Sequence, residues 1–145
     1  MILAMEFVAT FCTGLFAGAS LYISLVEHPA RMECGTTLAA TEFGPSYRRG
    51  AVMQASLAIG AFLAAMVSFA FASNYAWLIG GICIVAVIPF TLSVILPTNK
   101  KLLDPSLNRN SEAARGLLVR WGRLHAVRTA LSLAAFVVFL SVPKV

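Results

Sequence analysis

The amino-acid sequence predicts an all-α protein, a four-helix transmembrane bundle with both termini on the non-cytoplasmic side. Three observations carry that expectation. The 145-residue chain is 59% hydrophobic and 12% charged, against roughly 45–50% and about 25% in soluble domains. Its apolar residues gather into long uncharged runs, and its basic residues gather between those runs. One small soluble core cannot bury so much apolar surface, so residues 1–145 are expected to form a single membrane domain. Continuous rather than alternating runs argue against a β-barrel, and backbone hydrogen bonding in lipid then demands helices.

Residues 7–26, 51–72 and 76–96 are uncharged runs of 20, 22 and 21 residues, long enough for a span of about 20. The first follows Glu6 rather than a basic residue and continues into Glu27-His28-Pro29, so it reads as a retained span and not a signal peptide. The fourth run, 129–142, has only 14 uncharged residues, about 21 Å of helix at ~1.5 Å per residue. A spanning helix must therefore begin near residue 123, which draws His125 and Arg128 toward the membrane.

The 73–75 connection is short and uncharged. The other two hold ten of the eleven basic residues: Arg31, Arg48, Arg49, Lys100, Lys101, Arg109, Arg115, Arg120, Arg123 and Arg128, with Lys144 alone on the opposite side. The excess of positive charge predicts that these long connections are cytoplasmic. It also fits contact with lipid headgroups, whereas nucleic acid requires a soluble basic face. Pro29 and Pro45 predict that residues 27–50 are not one continuous helix, and Pro89 predicts a kink in the third span. Asn110-Ser111-Glu112 has the form of a helix start, from which a helix can run unbroken to about residue 142. Cys12, Cys34 and Cys83 are odd in number and form no CxxC pair, which supports neither a disulfide framework nor a zinc site. Gly14 and Gly18 form a GxxxG suited to helix packing.

Trp121, His125 and Arg128 are spaced i, i+4, i+7 and share one face of the last helix. Ionisable groups at membrane depth are functional candidates. The competing reading makes Arg128 a snorkelling residue and Trp121 an interfacial anchor. Glu27, His28 and Arg31 close the first span on the same side, where Glu27 and Arg31 also fit a plain i, i+4 ion pair and Pro29 a helix end. Asn99 ends the third span there too, suited to capping the helix or to orienting a ligand. Three spans thus deliver polar groups to one end of the bundle. His28, His125 and Glu27 would make a three-ligand metal set, but no HExxH or haem-binding signature accompanies them, and metal is the lesser alternative. No line of charge crosses the bilayer as a channel or transporter would need.

The segments Val26-Glu27-His28-Pro29-Ala30-Arg31, Leu96-Pro97-Thr98-Asn99-Lys100-Lys101-Leu102 and Trp121-Gly122-Arg123-Leu124-His125-Ala126-Val127-Arg128-Thr129 together resemble the anthrone oxygenase-like family of four-span membrane proteins. The resemblance covers essentially the whole chain. It implies a cofactor-independent monooxygenase of polyketide biosynthesis that converts an anthrone to an anthraquinone with molecular oxygen, and it points to His28, Asn99, Trp121, His125 and Arg128.

The expected chemistry is base abstraction by His125, oxyanion stabilisation by Arg128 or Asn99, and stacking of a flat apolar aromatic substrate on Trp121. His28 is grouped with the catalytic residues, and Glu27 and Arg31 with substrate binding. No cofactor beyond oxygen is expected. The expected partners are an apolar small molecule and membrane lipid, with homo-oligomerisation open. The alternative is a non-enzymatic membrane module that binds anionic lipid or a protein partner through its basic connections.

Overall fold

A computed structural model of the chain describes residues 1–142. Among them, four helices are long and apolar enough to cross a membrane: α1, Ile2–Glu33; α2, Thr36–Ala72; α3, Tyr75–Leu102; and α4, Glu112–Leu140. No strand occurs among the described residues. Each helix packs against its neighbours in sequence, and α4 closes the ring onto α1. The result is an up-down-up-down bundle whose two ends, at α1 and α4, lie beside the tight α2–α3 turn. Lys144, expected on that side, falls outside the described residues.

Local chemistry explains the helix boundaries. The α2–α3 turn places Ser73 at φ 52°, and the Asn74 side chain accepts a hydrogen bond from the Ala76 N–H to cap α3. Ser111 accepts from the Ala114 N–H, with Glu112 in the first turn, so α4 starts at the expected place and runs 29 residues without a break. In the α3–α4 connection, Ser106 donates its N–H and hydroxyl to Asp104 and holds that carboxyl below the usual carboxylate range.

The prolines act differently from the sequence expectation. Residues 27–50 are interrupted, but at Gly35, whose φ of 92° suits glycine. Pro45 lies inside α2, and α1 passes through Pro29. A wide i→i+5 turn makes that passage possible. Ile23–Glu27 forms such a turn, and the His28 N–H bonds to the Ile23 carbonyl. The same device precedes Pro97: Thr91–Ile95 is wide, and the Leu96 N–H bonds to the Thr91 carbonyl. Widening the turn before an X-Pro pair relieves the clash between the proline ring and the carbonyl four residues back. The regular helix of α3 is interrupted at Ala86, three residues before Pro89.

Three layers fill the bundle. The far layer packs Trp77 and Phe139 around small residues of α1 and α2, and the middle layer packs Phe16, Ile84 and Val87 against alanines. Phe43, Leu118 and Trp121 occupy the basic end. Close approach relies on small residues: a Cβ on Gly14 would meet Phe136, whereas Gly18 faces open space. Large apolar residues such as Leu3, Phe7, Phe11, Ile59 and Val137 face outward, as lipid contact requires.

Candidate functional site

At the basic end the helices extend past their apolar runs, and their polar residues surround a cavity of about 180 Å³. Phe16 and Ile23 of α1, Phe43, Tyr47 and Gln54 of α2, Val87 and Thr91 of α3, and Trp121, His125 and Arg128 of α4 line it. The i, i+4, i+7 spacing on α4 therefore puts its three polar or aromatic residues on one cavity wall. Arg31 also reaches the lining; His28, Asn99 and Glu27 do not.

His125 is 1% exposed and stacks on Trp121 with ring centroids 4.8 Å apart. Its Nδ1 lies 3.0 Å from Ser24 Oγ, Ser24 Oγ lies 2.8 Å from Thr129 Oγ1, and Thr129 Oγ1 lies 3.2 Å from the carbonyls of Ser20 and His125. The direction of this chain follows from its end. A carbonyl only accepts, so Thr129 spends its single hydroxyl proton there. With Thr129 donating to those carbonyls, Ser24 donates to Thr129 and accepts from His125, an arrangement that favours the Nδ1–H tautomer of the ring.

Two arginines share the cavity and differ in charge balance. Arg31 is 5% exposed, pairs with Glu27 one turn earlier, and has its Nε 3.0 Å from Glu42 Oε2. Ser46 donates to Glu27 at 2.8 Å, and the Arg31 guanidinium lies 5.8 Å from the Trp121 ring centre. The ion pair anticipated between Glu27 and Arg31 is thus present, and this arginine is neutralised by protein carboxylates. Arg128 has no carboxylate within ion-pair distance among the described residues. It donates to Gln54 Oε1 at 2.8 Å, lies 5.5 Å from the centre of the Phe16 ring, and keeps a buried Nε with no partner. A half-buried cation without a counter-ion, at the wall of an apolar cavity, is a place for negative charge on a ligand.

His28 packs behind the cavity wall. Its ring contacts Trp121 at 5.2 Å between centroids and fills the space left by Gly122, where a Cβ would come within 2.5 Å of Nε2. Both imidazoles thus contact one indole, with His125 on the cavity and His28 outside it. Asn99 is fully buried, and neither its amide nitrogen nor its oxygen has a partner. No group of three His, Cys, Asp or Glu side chains among the described residues is placed to hold a metal ion; Glu27 is committed to Arg31 and Ser46.

Gln54, Ser20, Ser24 and Thr129 escape a reading of the sequence. Gln54 is 2% exposed and is the one amide in the 51–72 run. A side chain of that polarity in a span is itself a signal, since it is retained where a partner awaits it. The three hydroxyls give none by themselves.

The chain matches the family model described as anthrone oxygenase over residues 43–138, a segment that holds all of the cavity lining except Phe16, Ile23 and Arg31. It is 30% identical over 141 residues to a curated protein, anthrone oxygenase tpcL of Aspergillus fumigatus, covering 90% of this chain and 85% of that relative. No solved structure matches it.

Proposed function

Because the chain belongs to the anthrone oxygenase family, we propose that it oxygenates a flat, largely apolar aromatic ketone of the anthrone type within the membrane, with His125 as the base. Family membership points to an oxygenase; the substrate and the mechanism are our own assignment. The observation that carries it is the hydroxyl chain from Thr129 through Ser24 to His125 Nδ1, which presents Nε2 to the cavity as a proton acceptor.

The steps use only the substrate, oxygen and these residues. His125 Nε2 takes one proton from the methylene opposite the ketone, and the electron pair delocalises into an aromatic enolate whose oxyanion meets Arg128. Gln54 holds that guanidinium in place, and of the two residues expected to stabilise the oxyanion this scheme uses Arg128 and not Asn99, which lies off the cavity lining. The enolate gives an electron to molecular oxygen, and the radical pair joins as a carbon–oxygen bond. Protonation of the peroxide by the imidazolium, then loss of the second methylene hydrogen with hydroxide, leaves a new carbonyl and one water. One oxygen atom enters the product and the other enters water. Trp121, Phe43 and Tyr47 supply aromatic surface for the rings. No metal or flavin takes part in this scheme.

Placement in the membrane follows the charge distribution. Arg48, Arg49, Lys100, Lys101, Arg109, Arg115, Arg120 and Arg123 are all exposed, in contrast to buried Arg31 and half-buried Arg128. We assign this basic end to the cytoplasmic side, in contact with anionic headgroups, and both termini to the opposite side.

The test is oxygen uptake coupled to anthraquinone formation by the purified protein given a hydroxylated anthrone. One oxygen consumed per anthraquinone, with labelled oxygen gas appearing in the new carbonyl, is expected. A rate no faster than spontaneous oxidation would remove the anthrone-type substrate.

A further inference from the structure

We infer that the cavity is loaded sideways from the bilayer, through a mouth between α2 and the second half of α3. This rests on the oxygenase reading only for the identity of the ligand; the mouth itself is a matter of geometry. Up to Val85, α3 packs along α2. Beyond the Ala86 break it touches α2 at few positions, while its contact with α4 continues along both halves. The gap between the two helices is the cavity. One rim consists of Gly50, Ala51 and Ala55, the other of Ile88, Thr91 and Leu92.

Two of these rim residues, Ala55 and Leu92, line the cavity and are also exposed on the outer surface, Leu92 by 59%. The cavity therefore reaches the outside between them. Each lies four residues inside the basic end of its apolar run, about 6 Å of helix, so the outside at that point is acyl chain rather than water. The rim offers a solute no free side-chain donor: its single hydroxyl, on Thr91, is already donated to the Val87 carbonyl at 2.6 Å. Small side chains on one rim and a flexible leucine on the other make a slot suited to a flat ring system. On the side nearest the basic connections the lining includes Arg31 and Ser46, which Glu27 and Glu42 hold in one polar cluster. A ligand that slides in from lipid meets apolar walls first and Arg128 and His125 last. The class this selects is a planar polycycle with one acidic oxygen, dissolved in the membrane. Ala55 and Leu92 set its width.

The test uses the full chain in liposomes and 1,8-dihydroxyanthraquinone as a stable probe, delivered in the lipid and followed by quenching of tryptophan fluorescence. Ala55→Phe and Leu92→Phe narrow the mouth without touching His125 or Arg128. Both binding and release are expected to slow at least tenfold, because a mouth alters rates in both directions. Leu63→Phe, exposed on α2 eight residues (about 12 Å of helix) beyond Ala55 and outside the cavity lining, is expected to leave them unchanged. Unaltered rates in both mouth variants would overturn the proposal.

A second measurement does not depend on the probe. A bimane label at Ala55→Cys, in a chain with its native cysteines replaced by alanine, is expected to be quenched by acyl-chain spin-labelled lipid and not by aqueous iodide. The reverse pattern would overturn the lateral mouth even if the protein binds no anthraquinone. Failure of the parent chain to bind the probe, with lipid quenching intact, would count against the anthrone-type ligand and not against the mouth.

Discussion

Ser24 Oγ stands 3.0 Å from His125 Nδ1 and joins α1 to α4 across 101 residues of sequence. The contact decides which nitrogen of the imidazole faces the cavity. When Ser24 gives its one proton to Thr129, the histidine donates to it. A ring held this way is oriented by a neighbour that takes no part in the reaction itself.

Replacing Ser24 with alanine removes that orientation and leaves the cavity wall intact. The expected result is a fall in kcat of about tenfold or more, equivalent to ~1.4 kcal/mol of barrier, with little change in KM. Nitrogen-15 shifts of His125 report the tautomer directly: Nδ1 protonated and Nε2 bare in the parent, a mixture in the variant.

Arg128 and Gln54 form the second unit. Arg128→Ala deletes the only cavity cation not paired with a carboxylate among the described residues and is expected to lower kcat about 10²–10³-fold, as loss of an oxyanion donor does. Gln54→Leu keeps the volume but releases the guanidinium, so a smaller loss in the same direction is expected from steady-state rates. Arg31→Gln is different in kind. It leaves Glu27 and Glu42 without their cation, and the cost appears in thermal unfolding.

Two glycines on α4 separate packing from helix propensity. A Cβ on Gly122 runs into the His28 ring, while one on Gly116 meets nothing within 4 Å. Gly122→Ala is expected to destabilise the protein by about 1–3 kcal/mol. Gly116→Ala is expected to stabilise it by up to ~1 kcal/mol through helix propensity alone. Unfolding followed by circular dichroism in detergent distinguishes the two signs.

Asn99 is buried with both amide atoms unpartnered, away from the cavity lining. Its replacement by leucine removes an unsatisfied polar group, which costs about 1–3 kcal/mol to bury. Asn99→Leu is therefore expected to keep the parent's kcat and to unfold no earlier than the parent. A large loss of kcat at unchanged stability would restore the catalytic role that the sequence suggested for it.

Much of the bundle is legible in the sequence because bilayer physics writes it in composition: run length gives the spans, and Ser111 marks a helix start. The shortage of apolar residues in the fourth span exposes His125 and Arg128, and helical spacing joins them to Trp121. The partners of those residues are hidden for a physical reason. Several helical hydroxyls here bond back to a carbonyl four residues earlier, as Thr10, Ser56, Ser68 and Thr91 do. A serine in an apolar run therefore carries no signal of its own, and Ser24 differs only because α4 lies opposite it. The prolines mislead in the same way. Pro29 looks like a helix end until the wide turn before it is seen, and nothing in the local sequence announces such a turn.

The most direct test of the account is chemical rescue of His125→Ala in oxygen uptake with an anthrone substrate. Truncation leaves a space beside Ser24 and Trp121 that free imidazole fits. The account predicts a kcat at least about 10²-fold below the parent, within the range for loss of a general base, and recovery that rises with added imidazole. It also predicts a primary deuterium isotope effect on the methylene hydrogen in both the parent and the rescued variant. A His125→Ala protein that oxidises the anthrone at the parent's rate would contradict it.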